Sequence, residues 1–134
     1  MVVRAQCSSY ASIAICGLGN MNKRQAKSMS RPQLAEVARL FTALSEPSRL
    51  ELLQALHNGP QAVHELVEAC GMKQANVSKH LGVLLQHRLV ERKREGVFTR
   101  YEIADPMVFA LCEVVCGKIE RDAKCALALF APEI

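Results

Sequence analysis

The chain lacks any apolar run close to the roughly 20 residues that a membrane-spanning helix needs, and it contains no Trp. A short apolar segment from Ala11 to Leu18 follows Arg4, but it contains Ser and has no clear cleavage site for a secretory signal. These absences argue against a membrane or secreted protein, so we expect a cytoplasmic location. Half of the 134 residues are nevertheless apolar. That composition fits one domain with one core and leaves some apolar surface for a partner.

The chain also lacks the loop-rich pattern of small disulfide-bonded domains, although it has six cysteines. Most of its sequence is periodic and helical, whereas disulfide frameworks belong to small secreted domains. We therefore expect reduced thiols. The cysteines are Cys7, Cys16, Cys70, Cys112, Cys116 and Cys125.

Positive charge is concentrated in one segment. Residues 73–100 contain seven Lys or Arg and two Glu, a net charge of +5, whereas the whole chain carries only +4. Such a segment is typical of proteins whose cations neutralise nucleic-acid phosphates and release counterions. The alternative is a charged face that contacts only solvent.

The first 29 residues show no sustained period, and we expect a poorly ordered N-terminal extension followed by one domain over residues 30–134. Ser30 is a predicted N-cap, with Pro32 and Gln33 in the first turn of a helix. Ser45 is the predicted cap of a second helix that has Pro47 in its first turn. Leucines follow there at a spacing of three residues, at positions 50, 53 and 56. A short third helix is predicted over about 62–70.

The segment after Gly71 predicts a helix from about Gln74 to Gln86, followed by a β-hairpin. Val77, Leu81, Leu84 and Leu85 form its apolar stripe, and polar residues lie off that stripe near the N-terminal end. In a helix-turn-helix protein this is the half of the recognition helix that enters the major groove. The predicted strands are 90–95 and 97–103, with Gly96 in the turn.

A last helix is predicted to begin at Asp105 and Pro106, with Asp as the cap and Pro at the first helical position. Its apolar residues recur at helical spacing. They are Val108, Leu111, Cys112, Val115 and Ile119. In so small a domain, we expect such a helix to pack on a second subunit.

With these elements in place, residues 41–103 resemble the ArsR/SmtB family of bacterial winged-helix repressors. LSEPSRLELLQAL is similar to the second-helix signature of that family, NVSKHLGVLLQHRLV to its recognition helix and REGVFTRYEI to its wing. The resemblance implies a mainly α fold with a small β-hairpin wing, an α+β winged helix-turn-helix that dimerises through its terminal helices. It also implies a homodimer that blocks transcription at operator DNA until an inducer weakens DNA binding.

Carried onto this chain, the resemblance places DNA-facing residues on the recognition helix and on the wing. The helix residues could contact base edges, whereas the wing residues mainly position the protein on the backbone. For His80 the alternative is a histidine hydrogen-bonded to its neighbours. One departure from the family pattern is Lys73, which stands where a capping Ser or Thr is common. The predicted contacts are Gln74, Asn76, Ser78, Lys79, His80, Arg92, Lys93, Arg94 and Arg100.

The inducer site is predicted from cysteines. The Cys-x-Cys pair that the family uses in its third helix is absent from QAVHELVEAC, and the last helix has no histidine for a hard-metal site. Cys112 and Cys116 are four residues apart, so they share one face of a helix and could hold one soft ion. A third thiolate could come from Cys125, from Cys7 or Cys16 as weaker candidates, or from the other subunit. Three thiolates would suit trivalent arsenic, and another soft metal ion is an alternative inducer.

Other interpretations stay open. The regulator could respond to reactive sulfur or oxidants, or it could have no ligand, with every cysteine structural. A winged helix that binds protein instead of DNA is disfavoured by the density of Lys and Arg. A thiol enzyme is the remote alternative, because every histidine lies in another element than the cysteine pair, so no catalytic function is expected. No certain cofactor is predicted, and the expected partners are double-stranded operator DNA and a second copy of the chain.

Overall fold

The computed structural model describes residues 28–129, which contain five helices and a three-stranded antiparallel sheet. The predicted N-terminal extension lies outside the described residues except for its last two. The elements in chain order are α1 (Arg31–Leu44), α2 (Pro47–Leu56), β1 (Gln61–Ala62), α3 (Val63–Cys70), α4 (Gln74–Gln86), β2 (Val90–Glu95), β3 (Phe98–Ile103) and α5 (Met107–Leu129).

The first two helices begin where short polar residues and prolines place them. Ser30 caps α1, and its N–H donates to Gln33 Oε1 at 2.8 Å. The prediction that Ser45 caps α2 is wrong, because Glu46 is the N-cap. Ser45 instead ends α1, where its hydroxyl donates to the carbonyl of Thr42 at 2.8 Å. A serine between two helices can satisfy either the carbonyls before it or the N–H groups after it, and here it satisfies the carbonyls.

Residues 29–106 form one compact unit, in which α2 packs against α1, α3, α4 and β3. Burial of aliphatic side chains holds these elements together. In α2 the inward residues are Leu52, Leu53 and Leu56. The predicted three-residue repeat is therefore right for Leu53 and Leu56 but wrong for Leu50, which is 37% exposed. The fully buried large side chains of the unit are Leu52, Leu56, Leu66, Val77, Leu81, Leu84 and Leu89.

The helix-turn-helix consists of α3 and α4, which pack together and are separated by Gly71, Met72 and Lys73. Gly71 has a φ of 64°, a left-handed conformation that glycine adopts at no steric cost, and it ends α3. The bounds predicted for α4 are confirmed, and Lys73 is its N-cap without a side-chain cap hydrogen bond. Arg88 also has a positive φ, 56°, at the end of α4, where the chain turns into the hairpin.

The hairpin pairs β2 with β3 from Val90 opposite Ile103 to Glu95 opposite Phe98. Gly96, with a φ of 61°, supplies the turn as predicted, but Val97 belongs to the turn and is 92% exposed. The two-residue strand β1 was not predicted. It extends the sheet on the other edge of β3, with Gln61 opposite Tyr101.

The helix α5 belongs to a separate compact unit and runs without interruption for 23 residues. It begins at Met107, one residue after the predicted start. Several large apolar side chains along it are exposed, among them Val115 at 45% and Ile119 at 58%. Within the described range, no helix combines the length and the apolar character that crossing a membrane requires.

Candidate functional site

One face of α4 is polar and open to solvent. In the opposite stripe, Val77, Leu81 and Leu84 are buried as predicted, whereas Leu85 is only half-buried. The predicted contact residues Gln74, Asn76, Ser78 and Lys79 are all exposed. Within the described part of the chain, none of these four side chains is held by a hydrogen bond or an ion pair, so their donors and acceptors are available to a ligand.

The fifth predicted residue of this helix, His80, is half-buried and has a partner. Its Nδ1 lies 3.4 Å from Nη1 of Arg49, a residue of α2 that is 31 positions earlier in the chain. The structure therefore has the hydrogen-bonded neighbour that was the alternative interpretation of His80. A role of the ring in DNA binding stays a prediction.

The register of the hairpin separates the four predicted wing cations into two pairs. Residues directly opposite each other in an antiparallel pair point to the same face, and neighbours along a strand point to opposite faces. Arg92 lies opposite Tyr101 and Arg94 opposite Thr99, so both arginines are on one face. Lys93 lies opposite Arg100 on the other face.

Acidic side chains surround the second pair. Lys93 forms ion pairs with Glu102 and, at 3.7 Å, with Glu91. Hydrogen bonding to the Glu102 carboxylate raises the pKa of Lys93, and the same bond lowers the pKa of Glu102. Both groups therefore stay charged over a wider pH range than they would alone.

Arg100 links the hairpin to the start of α3. Its Nε lies 3.3 Å from Glu95, while Nη1 lies 3.8 Å from Glu65 and donates to the Pro60 carbonyl at 3.3 Å. Glu65 also accepts the Ala62 N–H at 2.7 Å and so caps α3. These contacts position the hairpin against the helix-turn-helix. Glu65 was not among the predicted residues, although its place three residues after the helix N-cap is a capping signal.

In the part of the chain that the structure describes, the first pair of wing cations, Arg92 and Arg94, lacks the acidic partners that Lys93 and Arg100 have. Among the described residues, neither Arg92 nor Arg94 forms an ion pair, and both are exposed. Lys73 and Lys79 at the start of α4 are exposed and unpaired within the same described range. The unpaired positive charge of residues 73–100 therefore lies at the start of α4, at the exposed Arg88 after its end, and on one face of the hairpin.

The predicted cysteine pair lies on one continuous helix, α5. Cys112 and Cys116 both carry free thiols, and Cys116 is exposed while Cys112 is half-buried. Burial raises the pKa of the Cys112 thiol, and the nearby Cys116 raises it further. At neutral pH, Cys112 is therefore a protonated thiol that must lose its proton to bind a soft ion.

The other cysteines do not complete a site within the described residues. Cys70 is a free, half-buried thiol on α3, and burial raises its pKa. Cys125 is disulfide-bonded, so the expectation of reduced thiols is wrong there; helical periodicity does not prevent a helix cysteine from pairing with one elsewhere. Cys7 and Cys16 lie outside the described residues. In residues 28–129 no three His, Cys, Asp or Glu side chains are grouped so that they could hold a metal ion.

The geometry of the helix-turn-helix and hairpin has clear counterparts among known proteins. A family model described as a helix-turn-helix domain matches residues 44–93. A probable mercury resistance operon repressor from Streptomyces lividans is 42% identical over 71 residues, which are 53% of this chain and 57% of that protein. A transcriptional repressor SmtB homolog from Synechocystis is 33% identical over 104 residues, 78% of this chain and 79% of that protein.

Solved structures also resemble this fold. The homodimeric winged helix-turn-helix DNA-binding domain of Mb0332 from Mycobacterium bovis superposes with a TM-score of 0.60 at 36% identity, over 69% of this chain and 91% of that domain. The match extends beyond the helix-turn-helix itself. The expected fold class, a winged helix-turn-helix, is therefore confirmed.

Proposed function

Because this chain belongs to the ArsR/SmtB family of winged helix-turn-helix transcriptional repressors, we propose that it represses transcription as a homodimer bound to operator DNA. The observation that carries the proposal is the exposed polar face of α4, which has Lys73 and Lys79 near its start and no intramolecular partner for its side chains within the described residues. On the recognition helix of this fold, unpaired amides can hydrogen-bond to base edges and unpaired cations can bind phosphates.

The two groups of exposed residues have different tasks in this proposal. Gln74 and Asn76 carry amides that match the donor and acceptor of an adenine edge, and Lys79 contacts guanine or a phosphate. Arg92 and Arg94 contact phosphates or the minor groove and fix the register of the protein on the duplex. Lys93 and Arg100 contribute less to DNA affinity, because nearby carboxylates already neutralise them.

A double substitution on the hairpin tests this division. We expect Arg92→Ala with Arg94→Ala to weaken binding to all duplexes alike and to lower the dependence of log affinity on log salt by about two, since each lost phosphate contact removes about 0.9. The measurement is fluorescence anisotropy, at several salt concentrations, with labelled DNA from upstream of the protein's own coding sequence.

The matched control is Lys93→Ala, which removes a cation from the same strand. Its salt dependence should stay close to that of the wild-type protein, because its charge is paired with Glu102 and Glu91. Equal slopes for the double variant and the wild type would contradict phosphate binding by the arginines. If the wild-type protein binds no duplex in a salt-dependent manner, the proposed repressor function is wrong.

We further propose that a thiophilic ion binds at Cys112 and Cys116 and releases the repressor from DNA. Two thiols one helical turn apart suit the soft ligand preference of trivalent arsenic, mercury or cadmium. The described residues offer no third ligand, so the site needs a thiolate from the second subunit or from residues outside 28–129. A ligand that favours one arrangement of the dimer shifts the spacing of the recognition helices and weakens DNA binding by the coupling free energy.

We expect Cys112→Ser and Cys116→Ser, separately, to bind DNA like the wild type but to stay bound when arsenite or mercuric ion is added. The potency of mercuric ion should increase with pH in the wild-type protein, because binding of the ion displaces the proton that the raised pKa of Cys112 retains. The measurement is anisotropy of the preformed complex during an inducer titration. Cys70→Ser, which removes a free thiol from another helix, is the control and should respond normally.

Parallel titrations with polysulfide and with cadmium distinguish a soft ion from reactive sulfur as the inducer. Release by polysulfide alone would favour reactive sulfur as the inducer and contradict the ion proposal. Normal release of both serine variants by every inducer that acts on the wild type would show that the pair has no sensing role.

A further inference from the structure

Arg49 joins two helices that are far apart in the sequence. Its Nε donates to the Ala43 carbonyl at 2.5 Å, and its Nη2 donates to the Thr42 carbonyl at 3.2 Å. Both carbonyls lie in the last turn of α1. The remaining nitrogen, Nη1, faces His80 Nδ1 in α4 at 3.4 Å. One guanidinium therefore contacts the end of α1 and the recognition helix at the same time.

The position of Arg49 is unfavourable within its own helix. It is the third residue of α2, near the positive end of the helix dipole, where a cation is disfavoured. The last turn of α1 has no basic residue of its own, and the final carbonyls of a helix have no intrahelical partners. Arg49 supplies the missing cation from the next helix, which offsets its unfavourable local position.

The contact also determines how His80 can bind a ligand. A guanidinium only donates hydrogen bonds, so His80 Nδ1 must accept and the ring proton must lie on Nε2. The ring then has a fixed orientation and offers one N–H donor. That donor suits an acceptor such as guanine O6 or N7. His80 lies one turn after Asn76 and next to Lys79, both exposed residues of α4.

From this arrangement we infer that Arg49 is a positioning residue for sequence-specific DNA binding, acting through His80 and through its hold on the end of α1. It does not itself contact DNA in this role. The inference rests on the proposed function, because it requires α4 to be the helix that contacts base edges. It gives a function to the contact that Arg49, in the second-helix signature LSEPSRLELLQAL, makes with His80 of the recognition helix.

The test uses full-length protein and a duplex obtained by in vitro selection with the wild type, alongside a scrambled duplex of equal length. Arg49→Lys keeps the charge but loses the planar fork that spans three acceptors. We expect it to lose about tenfold in affinity for the selected duplex. Its affinity for the scrambled duplex and its salt dependence should be unchanged. A general loss of folding would lower both affinities, which thermal unfolding of each variant checks.

Two substitutions of His80 show whether Arg49 acts through it. His80→Asn keeps an acceptor near the place of Nδ1, whereas His80→Gln moves the polar group towards the place of Nε2 and removes that acceptor. Arg49→Lys should reduce selected-duplex affinity in the His80→Asn background as in the wild type, but little in the His80→Gln background. Arg39→Lys, at an exposed arginine of α1, is the control and should have no effect.

The inference would be overturned if Arg49→Lys lowered affinity for the selected duplex by the same factor in the wild-type, His80→Asn and His80→Gln proteins. It would also be overturned if Arg49→Lys bound that duplex within twofold of the wild-type affinity. Neither result would affect the proposed repressor function. Selection that enriches no duplex with the wild-type protein would instead refute the proposed function, and the inference with it.

Discussion

Replacing Leu52 by Ala should lower the free energy of unfolding by about 3–5 kcal/mol, the upper range for a buried leucine. Its side chain is fully buried, and its helix packs against α1, α3, α4 and β3. The substitution removes buried methyl groups and leaves a cavity that four neighbouring elements cannot easily fill. Because domains of this size are stable by only about 5–15 kcal/mol, much of the total stability would be lost.

The measurement is urea unfolding followed by circular dichroism, at one fixed protein concentration because subunit association would contribute to apparent stability. Leu50→Ala is the matched control, since it makes the same change two residues earlier in α2 at a side chain that is 37% exposed. We expect it to cost about 1 kcal/mol or less. Similar losses for both variants would mean that α2 does not bury the face described above.

The helix-turn-helix could be predicted from the sequence because its signals are local. Apolar residues at helical spacing define α4, and the glycine before it forces the turn that separates it from α3. The apolar stripe and the polar face of one helix follow from the same 3.6-residue period. The exposed residues Gln74, Asn76 and Lys79 were therefore identifiable without a structure.

The division of the wing cations could not be predicted in the same way. Four basic residues in a short segment look equivalent in a sequence, and only the register shows that Lys93 and Arg100 share a face with acids of the partner strand. A further acid beside Arg100, Glu65, comes from another element altogether, the helix α3. Charge counting therefore overestimates the number of cations available for phosphate contacts.

Arg49 illustrates a limit of another kind. Its contacts depend on how the end of α1, the start of α2 and the middle of α4 are arranged in space. No local pattern identifies an arginine whose partners are two carbonyls and a histidine 31 residues later. The strand β1 was missed for a similar reason, since two residues carry no period and pair only because β3 has a vacant edge.

The cysteine pair is an intermediate case. Its spacing of four residues was enough to predict that both thiols lie on one helix face, and α5 is continuous through both positions. The number of ligands was not predictable, because a third ligand depends on chain contacts that no spacing encodes. The raised pKa of Cys112 likewise results from burial, which the sequence alone does not quantify.

The exposed apolar face of α5 leads to the second large expected effect. Val115 and Ile119 lie one turn apart and are 45% and 58% exposed, although burial of each such side chain is worth about 1.5–3 kcal/mol. Leu127 and Leu129 are more exposed still. A second copy of the chain is the partner that we propose for this face. The Mb0332 domain, to which this chain is similar, is homodimeric.

We expect Val115→Glu with Ile119→Glu to convert the dimer to a monomer, because four carboxylates would meet in the interface of each pair of subunits without partners. Operator affinity should then fall by about 10²–10⁴-fold, since a dimer binds two half-sites and the second binding event is intramolecular. Sedimentation equilibrium measures the association, and anisotropy measures the DNA affinity. Lys124→Glu, on the opposite face of α5, is the control and should stay dimeric. A dimeric double variant would place the subunit interface elsewhere, whereas a monomer with undiminished affinity would contradict binding to paired half-sites.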